Sequence, residues 1–331
     1  MPDDPLPIES EAYRRFCSSV EQLPIYCLPW WLQAAVGDER TLRLLSDRDT
    51  LTESVMVQPL FEPFGGYVEV PPFCQFTGPL SVISSSPYER KNYAAREEAH
   101  SSIARSLSRY KVWRLHFLPE QFDWLPYKQL GATASLFFTH RLFLGEGVEK
   151  VRCGYNTLIR RKIKGFEKFF PTAMVGETSI EALLTLVQNS WEHSGATFME
   201  KQSLRRIVQA ALERKKGIVR AVYPDASSST PLAAVFIAHH NSTAYYIAGG
   251  RSTQADPTGN GLAFLLDAVL EELCSIPSIT MLDFEGSMEQ GIAFFFRSFG
   301  AIPTPYLRVQ KGQLTWSRRW RRRRFYKKNI V

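Results

Sequence analysis

Two carboxylates one residue apart, Asp283 and Glu285, end an apolar run in ITMLDFEGS, just before the phenylalanine-rich segment MEQGIAFFFRSFGA. On an extended strand alternate side chains share a face, so Asp283 and Glu285 point the same way and Phe284 the other. The C-terminal end of such a strand is where open α/β sheets hold ligands. Paired carboxylates there could orient a cationic amine, accept its proton directly or through water, and raise one another's pKa toward neutrality. The alternative reading of the same residues is that Asp283 or Glu285 caps the following helix and binds its free amides.

A second candidate lies in AGGRSTQADPTGNGL, where a strand passes through glycines into a helix N-terminus. Unpaired amides there, backed by the positive end of the helix dipole, suit an anion such as a pyrophosphate. Gly259 and Gly261 would let the backbone approach such a ligand, and Gly249, Gly250 and Asn260 complete the candidate cofactor-binding set. The alternative is a flexible loop whose glycines only turn the chain. Phe264 stands where the third glycine of a dinucleotide fingerprint would be, and neither a G-x-S-x-G elbow nor a P-loop lysine is present. Five scattered cysteines without a CxxC read as reduced core thiols rather than as a disulfide framework or zinc site. His239 and His240 are adjacent, so on a strand they face opposite ways and cannot share a metal; no metal is expected.

The elements that must position these residues form a mixed α/β pattern. The 331 residues, 44% of them hydrophobic, suit two domains better than one. In the first half, a helix over PWWLQAAV precedes strands near TLRLLS, ESVMVQPLF and YVEVP. A helix across YERKNYAAREEAHSSIARSLSRY leads to strands VWRLHFL and FFTHRLFL. In the second half Asn156 can cap a helix whose Ile159, Ile163, Phe166 and Phe170 share one face while Arg161, Lys164 and Lys168 line another. A T-x-x-E capping box, Thr178 to Glu181, opens a helix expected to bury Leu183, Val187 and Trp191. A third helix, through Leu204, Ile207, Val208, Ala211 and Leu212, precedes strands GIVRAVY, PLAAVFIAHH and TAYYIAGG, the last two joined at Asn241-Ser242. The helix in TGNGLAFLLDAVLEEL, the strand ITMLDF, the helix MEQGIAFFFRSF and the strand YLRVQ follow.

YKQLGATASLFFTHRLFL and FRSFGAIPTPYLRVQK echo one another, with Gly131 and Gly300 at matching places, which suggests two similar halves. The expected boundaries are 1–146, 147–317 and a basic tail, 318–331. RRWRRRRFYKK holds eight cations and no acid, so the net charge of +7 leaves the rest of the chain near −1. Arg318, Arg319, Arg321, Arg322, Arg323 and Arg324 could hold RNA phosphates or an anionic membrane surface, or could form a solvated terminus. No stretch approaches the roughly 18 apolar residues of a membrane span, and the acidic, proline-rich start is unlike a signal peptide. A cytoplasmic protein is expected, with the tail able to place it at the inner membrane face.

YNTLIRRKIKGFEK, TAYYIAGG with its glycine turn, and LDFEGSMEQGIAFFFRSFGA together resemble the Fem-like branch of the GNAT acyltransferase superfamily, as do VPPFCQFTGPL and FDWLPYKQLGA. The resemblance covers nearly the whole chain up to about residue 311. It implies a tandem pair of GNAT-like domains and transfer of an acyl or aminoacyl group, from acyl-CoA or aminoacyl-tRNA, to an amine acceptor such as a cell-envelope precursor. It places Asn156, Arg160 and Lys164 on a basic helix facing the donor or acceptor cleft, and Gly259 to Gly261 at the phosphate-binding turn. The superfamily turn reads Arg/Gln-x-x-Gly-x-Gly/Ala, whereas Asp256 leads it here and would repel a pyrophosphate.

The chemistry implied is direct attack of a neutral amine on a thioester or ester carbonyl. An α-amine titrates at about 7.8 and a lysine amine at about 10.4, so a base must take a proton, with Asp283 or Glu285 the candidate. Backbone N–H groups near TAYYIAGG could hold the oxyanion. A non-catalytic RNA- or anionic-membrane-binding protein on a degenerate GNAT scaffold is the alternative expectation, carried by the tail and Asp256.

Overall fold

The computed structural model describes residues 8, 10–20, 23–49, 51, 54–82, 89–119, 121–193, 195, 200–286 and 288–329; Ser287 and most of the acidic start lie outside them. The chain divides into two compact units, residues 1–137 with 305–331, and residues 138–304. These boundaries differ from the expected break after residue 146. The hydrophobic pattern identifies strands but does not say to which unit each half of a strand belongs.

The first unit contains α1 (Glu11–Ser19), α2 (Pro29–Val36), β1 (Leu42–Ser46), β2 (Met56–Phe64), β3 (Tyr67–Glu69), β4 (Leu80–Ser81), α3 (Glu89–Leu107), β5 (Val112–His116) and α4 (Leu125–Gln129). The strand β6 (Thr133–Phe143) then carries the chain into the second unit. There follow α5 (Val148–Cys153), α6 (Thr157–Phe169), β7 (Met174–Glu177), α7 (Ile180–His193), α8 (Lys201–Glu213), β8 (Gly217–Tyr223), β9 (Ala233–His240), β10 (Thr243–Arg251), α9 (Gly261–Cys274), β11 (Met281–Asp283) and α10 (Gln290–Ser298). The strand β12 (Ile302–Lys311) returns the chain to the first unit, which ends with α11 (Trp316–Asn329). Gly131 and Gly300, the matching positions of the echo, both adopt positive φ (81° and 89°). Each ends a short helix before one of the two strands that cross the unit boundary, a position glycine fills without a Cβ clash.

In the first unit the sheet order is β1-β2-β3-β5-β12, with β4 on β2. Trp113, Leu115 and Phe117 pack against Ala99, Ile103 and Leu107 of α3. In the second unit the order is β6-β11-β10-β9-β8-β7, and α9 buries Leu265, Leu266, Val269, Leu270 and Leu273 at helical spacing beside Ile159, Phe166, Phe296 and Phe299. Two local expectations fail. The helix α7 is capped by Ser179, whose hydroxyl accepts from the Ala182 amide at 3.1 Å, because Glu181 is drawn instead to Arg205 of α8. Trp191 is 40% exposed rather than core.

The C-terminal basic segment is not a free terminus. It forms α11, and Arg322 bridges both oxygens of Glu69 at 2.8 and 3.0 Å, with Glu69 itself buried and also accepting from the Tyr67 hydroxyl. Arg318 donates to the Gly66 carbonyl at 3.2 Å, Phe325 packs on Phe61 and Tyr326 is buried. Arg319, Arg321, Arg323 and Arg324 are exposed, Arg324 over the Trp320 ring. Among the described residues no helix is long and apolar enough to cross a membrane.

Candidate active site

The strand alternation expected to set both carboxylates of LDFEGS on one face ends within the motif. The strand β11 ends at Asp283, and Glu285 has φ 63°, which breaks the alternation on which the expectation rested. Asp283 is fully buried. It lies opposite Arg141 in the antiparallel β6–β11 pair, so Arg141 and, two residues back, Thr139 project on its side of the sheet. The Thr139 hydroxyl donates to Asp283 Oδ1, Arg141 donates to Oδ2 at 3.1 Å, and the Glu285 amide donates to Oδ1 at 2.9 Å. Burial raises the Asp283 pKa, and Arg141 and Thr139 partly offset it. Its carboxylate therefore holds the loop in its left-handed turn. It does not cap α10, whose N-terminal Glu289 makes no side-chain capping bond.

Glu285 is half-buried and acts on a different neighbourhood. Its charge, together with the larger effect of burial, pushes the Tyr246 phenol above its ordinary pKa and keeps it neutral. Tyr246 packs on Phe284 and Phe296. His140, on the alternate face of β6 from Thr139 and Arg141, also meets Phe296; burial lowers its pKa. The sequence reading missed Tyr246, Thr139 and Arg141. The polar triplet Thr-His-Arg inside the apolar strand FFTHRLFL was the available signal.

The strands β10 and β11 pair in parallel only from Thr243–Tyr245 against Met281–Asp283. The strand β10 continues to Arg251 with β9 on its other edge, through a bulge between Tyr246 and Ala248. Among the described residues its β11-facing edge has no strand ladder beyond Tyr245. This splay lies beside Tyr246 and the loop bearing Glu285.

The turn from 256 to 261 is closed by its own first residue. Asp256 is 1% exposed. Its Oδ1 accepts from the Thr258 amide at 3.1 Å, the Thr258 hydroxyl at 2.6 Å and the Gly259 amide at 3.1 Å, and its Oδ2 accepts from the Gly261 amide at 2.8 Å. The Asn260 amide donates to the Thr258 hydroxyl at 3.1 Å. All four amides from 258 to 261 are thus used inside the loop, and a carboxylate stands where an incoming anion would need them. Gly259 has φ 65°, and a Cβ on Gly261 would lie 2.9 Å from Asp256 Oδ2, so both glycines serve the internal cap. The residues present do not fit a pyrophosphate at this turn.

The other expected site residues are occupied structurally, with one exception. A Cβ on Gly250 would overlap the Leu186 backbone of α7, and one on Gly249 would overlap the Tyr246 hydroxyl, so both glycines are packing positions. Asn156 caps α6, accepting from the Ile159 amide at 3.0 Å and donating to the Ser298 hydroxyl at 2.9 Å. Arg160 donates to the Tyr155, Arg152 and Cys153 carbonyls. Lys164 is exposed, and the adjacent Gly165 comes close to Asn260, which sets the basic helix beside the turn. Among the described residues no cluster of His, Cys, Asp and Glu could hold a metal.

No protein-family model matches the chain, and no curated protein matches its sequence. Solved structures do. FemX aligns over 88% of this chain and 94% of its own, with a TM-score of 0.63 at 13% identity. The chain has the fold of FemX. That is a mixed α/β fold, built here of two compact units. L-PGS from Bacillus licheniformis aligns over 98% of both chains, with a TM-score of 0.54 at 10% identity. The C-terminal domain of a putative lysylphosphatidylglycerol synthetase from Agrobacterium fabrum covers 91% of this chain and 92% of its own, with a TM-score of 0.53 at 11% identity.

Proposed function

We propose that the protein is an aminoacyl- or acyltransferase whose second unit passes an acyl group from an activated ester to an amine, and that its donor is an aminoacyl ester such as aminoacyl-tRNA rather than acyl-CoA. The observation that carries the choice of donor is the Asp256 carboxylate, which consumes the turn amides a coenzyme A pyrophosphate would require. The FemX-like fold and the open edge of β10 support the reaction class.

In this reading the donor carbonyl sits against the open edge of β10, whose N–H groups receive the developing oxyanion. The amine nitrogen bonds to the carbonyl carbon, the ester C–O bond breaks, and Glu285 takes the proton the amine loses. Tyr246, neutral and close to Glu285, gives its proton to the leaving oxygen and regains one from the protonated Glu285. Asp283 is a positioning residue that holds the Glu285 loop through the Glu285 amide. Within the second unit the exposed cations of α6, Lys164 among them, offer phosphate contacts for an RNA donor, and within the first unit Arg319, Arg321, Arg323 and Arg324 offer others of their own.

Calorimetric titration with acetyl-CoA tests the choice of donor. The reading expects no saturable binding by the native protein at millimolar ligand and measurable binding by Asp256→Ala, in which the amides are released. Micromolar acetyl-CoA affinity of the native protein would overturn it.

A further inference from the structure

The helix α11 of the first unit has two unlike sides. At helical spacing Arg318, Arg322, Phe325 and Tyr326 fall together, and these residues hold the helix in place. Arg318 is on the Gly66 carbonyl, Arg322 on the buried Glu69 and Phe325 on Phe61, while Tyr326 is buried. The opposite side carries Trp316, Trp320, Arg323, Arg324 and Lys327, all exposed. Trp316 is 83% exposed and Trp320, one turn on, 54%. The Arg324 guanidinium stands 5.6 Å from the centre of the Trp320 ring.

This outer side differs from an ordinary solvated helix face. Residues 312–331 include no Asp or Glu. Arg318 and Arg322 are committed to the docked side, so the charges of Arg319, Arg321, Arg323, Arg324 and Lys327 face solvent with no acid on their own helix. A tryptophan left mostly exposed keeps a large apolar ring in water. That cost falls when the indole enters a boundary between water and hydrocarbon with its N–H on the wet side. Cations beside it gain when the boundary is anionic. Indoles among cations on one helix face are the composition of helices that lie in a membrane surface.

We propose that the outer side of α11 seats the first unit on an anionic phospholipid bilayer, with Trp316 and Trp320 entering the headgroup layer and Arg323, Arg324 and Lys327 meeting its negative charge. Cations alone would suit RNA as well; the tryptophans decide between the two. Single strands lie in basic grooves where successive bases stack on aromatic rings. Trp316 and Trp320 instead stand side by side on the convex outer surface of a helix, which fits a plane. The docked side holds that surface folded before contact, so binding does not have to order it. The inference does not rest on the transferase reading.

The test is co-sedimentation of the full chain with vesicles of one part phosphatidylglycerol to three of phosphatidylcholine, and with vesicles of phosphatidylcholine alone. The native protein is compared with two double variants, Trp316→Ser with Trp320→Ser and Arg323→Gln with Arg324→Gln. The expected result is binding to the anionic vesicles at least tenfold tighter than to the neutral ones. Either double variant should weaken it tenfold or more, since each cation near an anionic surface contributes about fivefold. Anionic vesicles should also shift the tryptophan emission of the native protein to the blue, and that of the tryptophan variant much less. All four side chains face solvent, so both variants should unfold at the native temperature, and lost binding is then not lost folding. A single-stranded uridine oligonucleotide is titrated alongside. No binding to anionic vesicles, equal binding to both kinds, or binding indifferent to the tryptophans would overturn the proposal. Retention of the oligonucleotide alone, lost with the same tryptophans, would overturn it in favour of RNA.

Discussion

Replacing Asp283 by asparagine should damage stability first and chemistry second. The substitution keeps the size of the side chain and one acceptor for the Glu285 amide, but removes the charge that Arg141 and Thr139 face. Breaking a buried ion pair costs about 3–5 kcal/mol. Here the Asp283 side chain is 1% exposed and that of Arg141 is 26% exposed, so water relieves part of the loss and the lower figure, about 3 kcal/mol, applies. For a unit of this size each kcal/mol moves the midpoint by roughly 2–4 °C, so thermal unfolding should fall by about 6–12 °C. Glu285→Gln, at a half-buried loop position, should stay within about 0.5 kcal/mol of the native protein yet lower transfer at least a hundredfold, the usual scale for a lost general base. Scanning calorimetry of both variants with single-turnover transfer separates the roles. An Asp283→Asn protein that unfolds like the native one but cannot transfer would refute the positioning role and return Asp283 to the chemistry.

Arg322→Ala should cost the first unit about 3 kcal/mol in denaturant unfolding, since it leaves the buried Glu69 unpaired; the fourfold Gln variant at Arg319, Arg321, Arg323 and Arg324 should unfold within about 1 kcal/mol of native while weakening RNA binding and flattening its salt dependence. Gly250→Ala should destabilise by about 2 kcal/mol or more, because its Cβ meets the α7 backbone. Gly291→Ala, with nothing near its Cβ inside α10, should stabilise by up to about 1 kcal/mol. Burial lowers His100, His116 and His240 to about 4. The unfolded chain therefore binds more protons below about pH 6.5, so stability should fall as pH drops from about 6.5 to 4, with His100 alone contributing roughly 3 kcal/mol; a flat stability profile over that window would contradict the buried neutral state.

Much of the second unit was legible because long amphipathic spacing survives without context. The leucines of α9 and the Asn156 cap of α6 are fixed by local rules, whereas the Gly131–Gly300 echo suggested two similar halves and not that β6 and β12 run from one unit into the other. What escaped depends on neighbours distant in sequence. The left-handed turn at Glu285 follows from a carboxylate held by β6, which strand alternation cannot register. Asp256 is the local exception, since its four hydrogen bonds all lie within the next five residues, where an aspartate before Thr and two glycines can close a loop on itself. The basic segment read as a tail because no local pattern reports that Glu69, some 250 residues earlier, is buried beneath it. Short elements such as α5 and β7 lack enough residues for a periodic signal.

The most direct test of the central claim is a single-turnover comparison in which the full chain and an amine acceptor receive either aminoacyl-tRNA or acetyl-CoA. The account predicts discharge of the aminoacyl ester, abolished by Glu285→Gln, and no consumption of the thioester. Acetyl transfer from coenzyme A by the native protein, with aminoacyl-tRNA left intact, would contradict it.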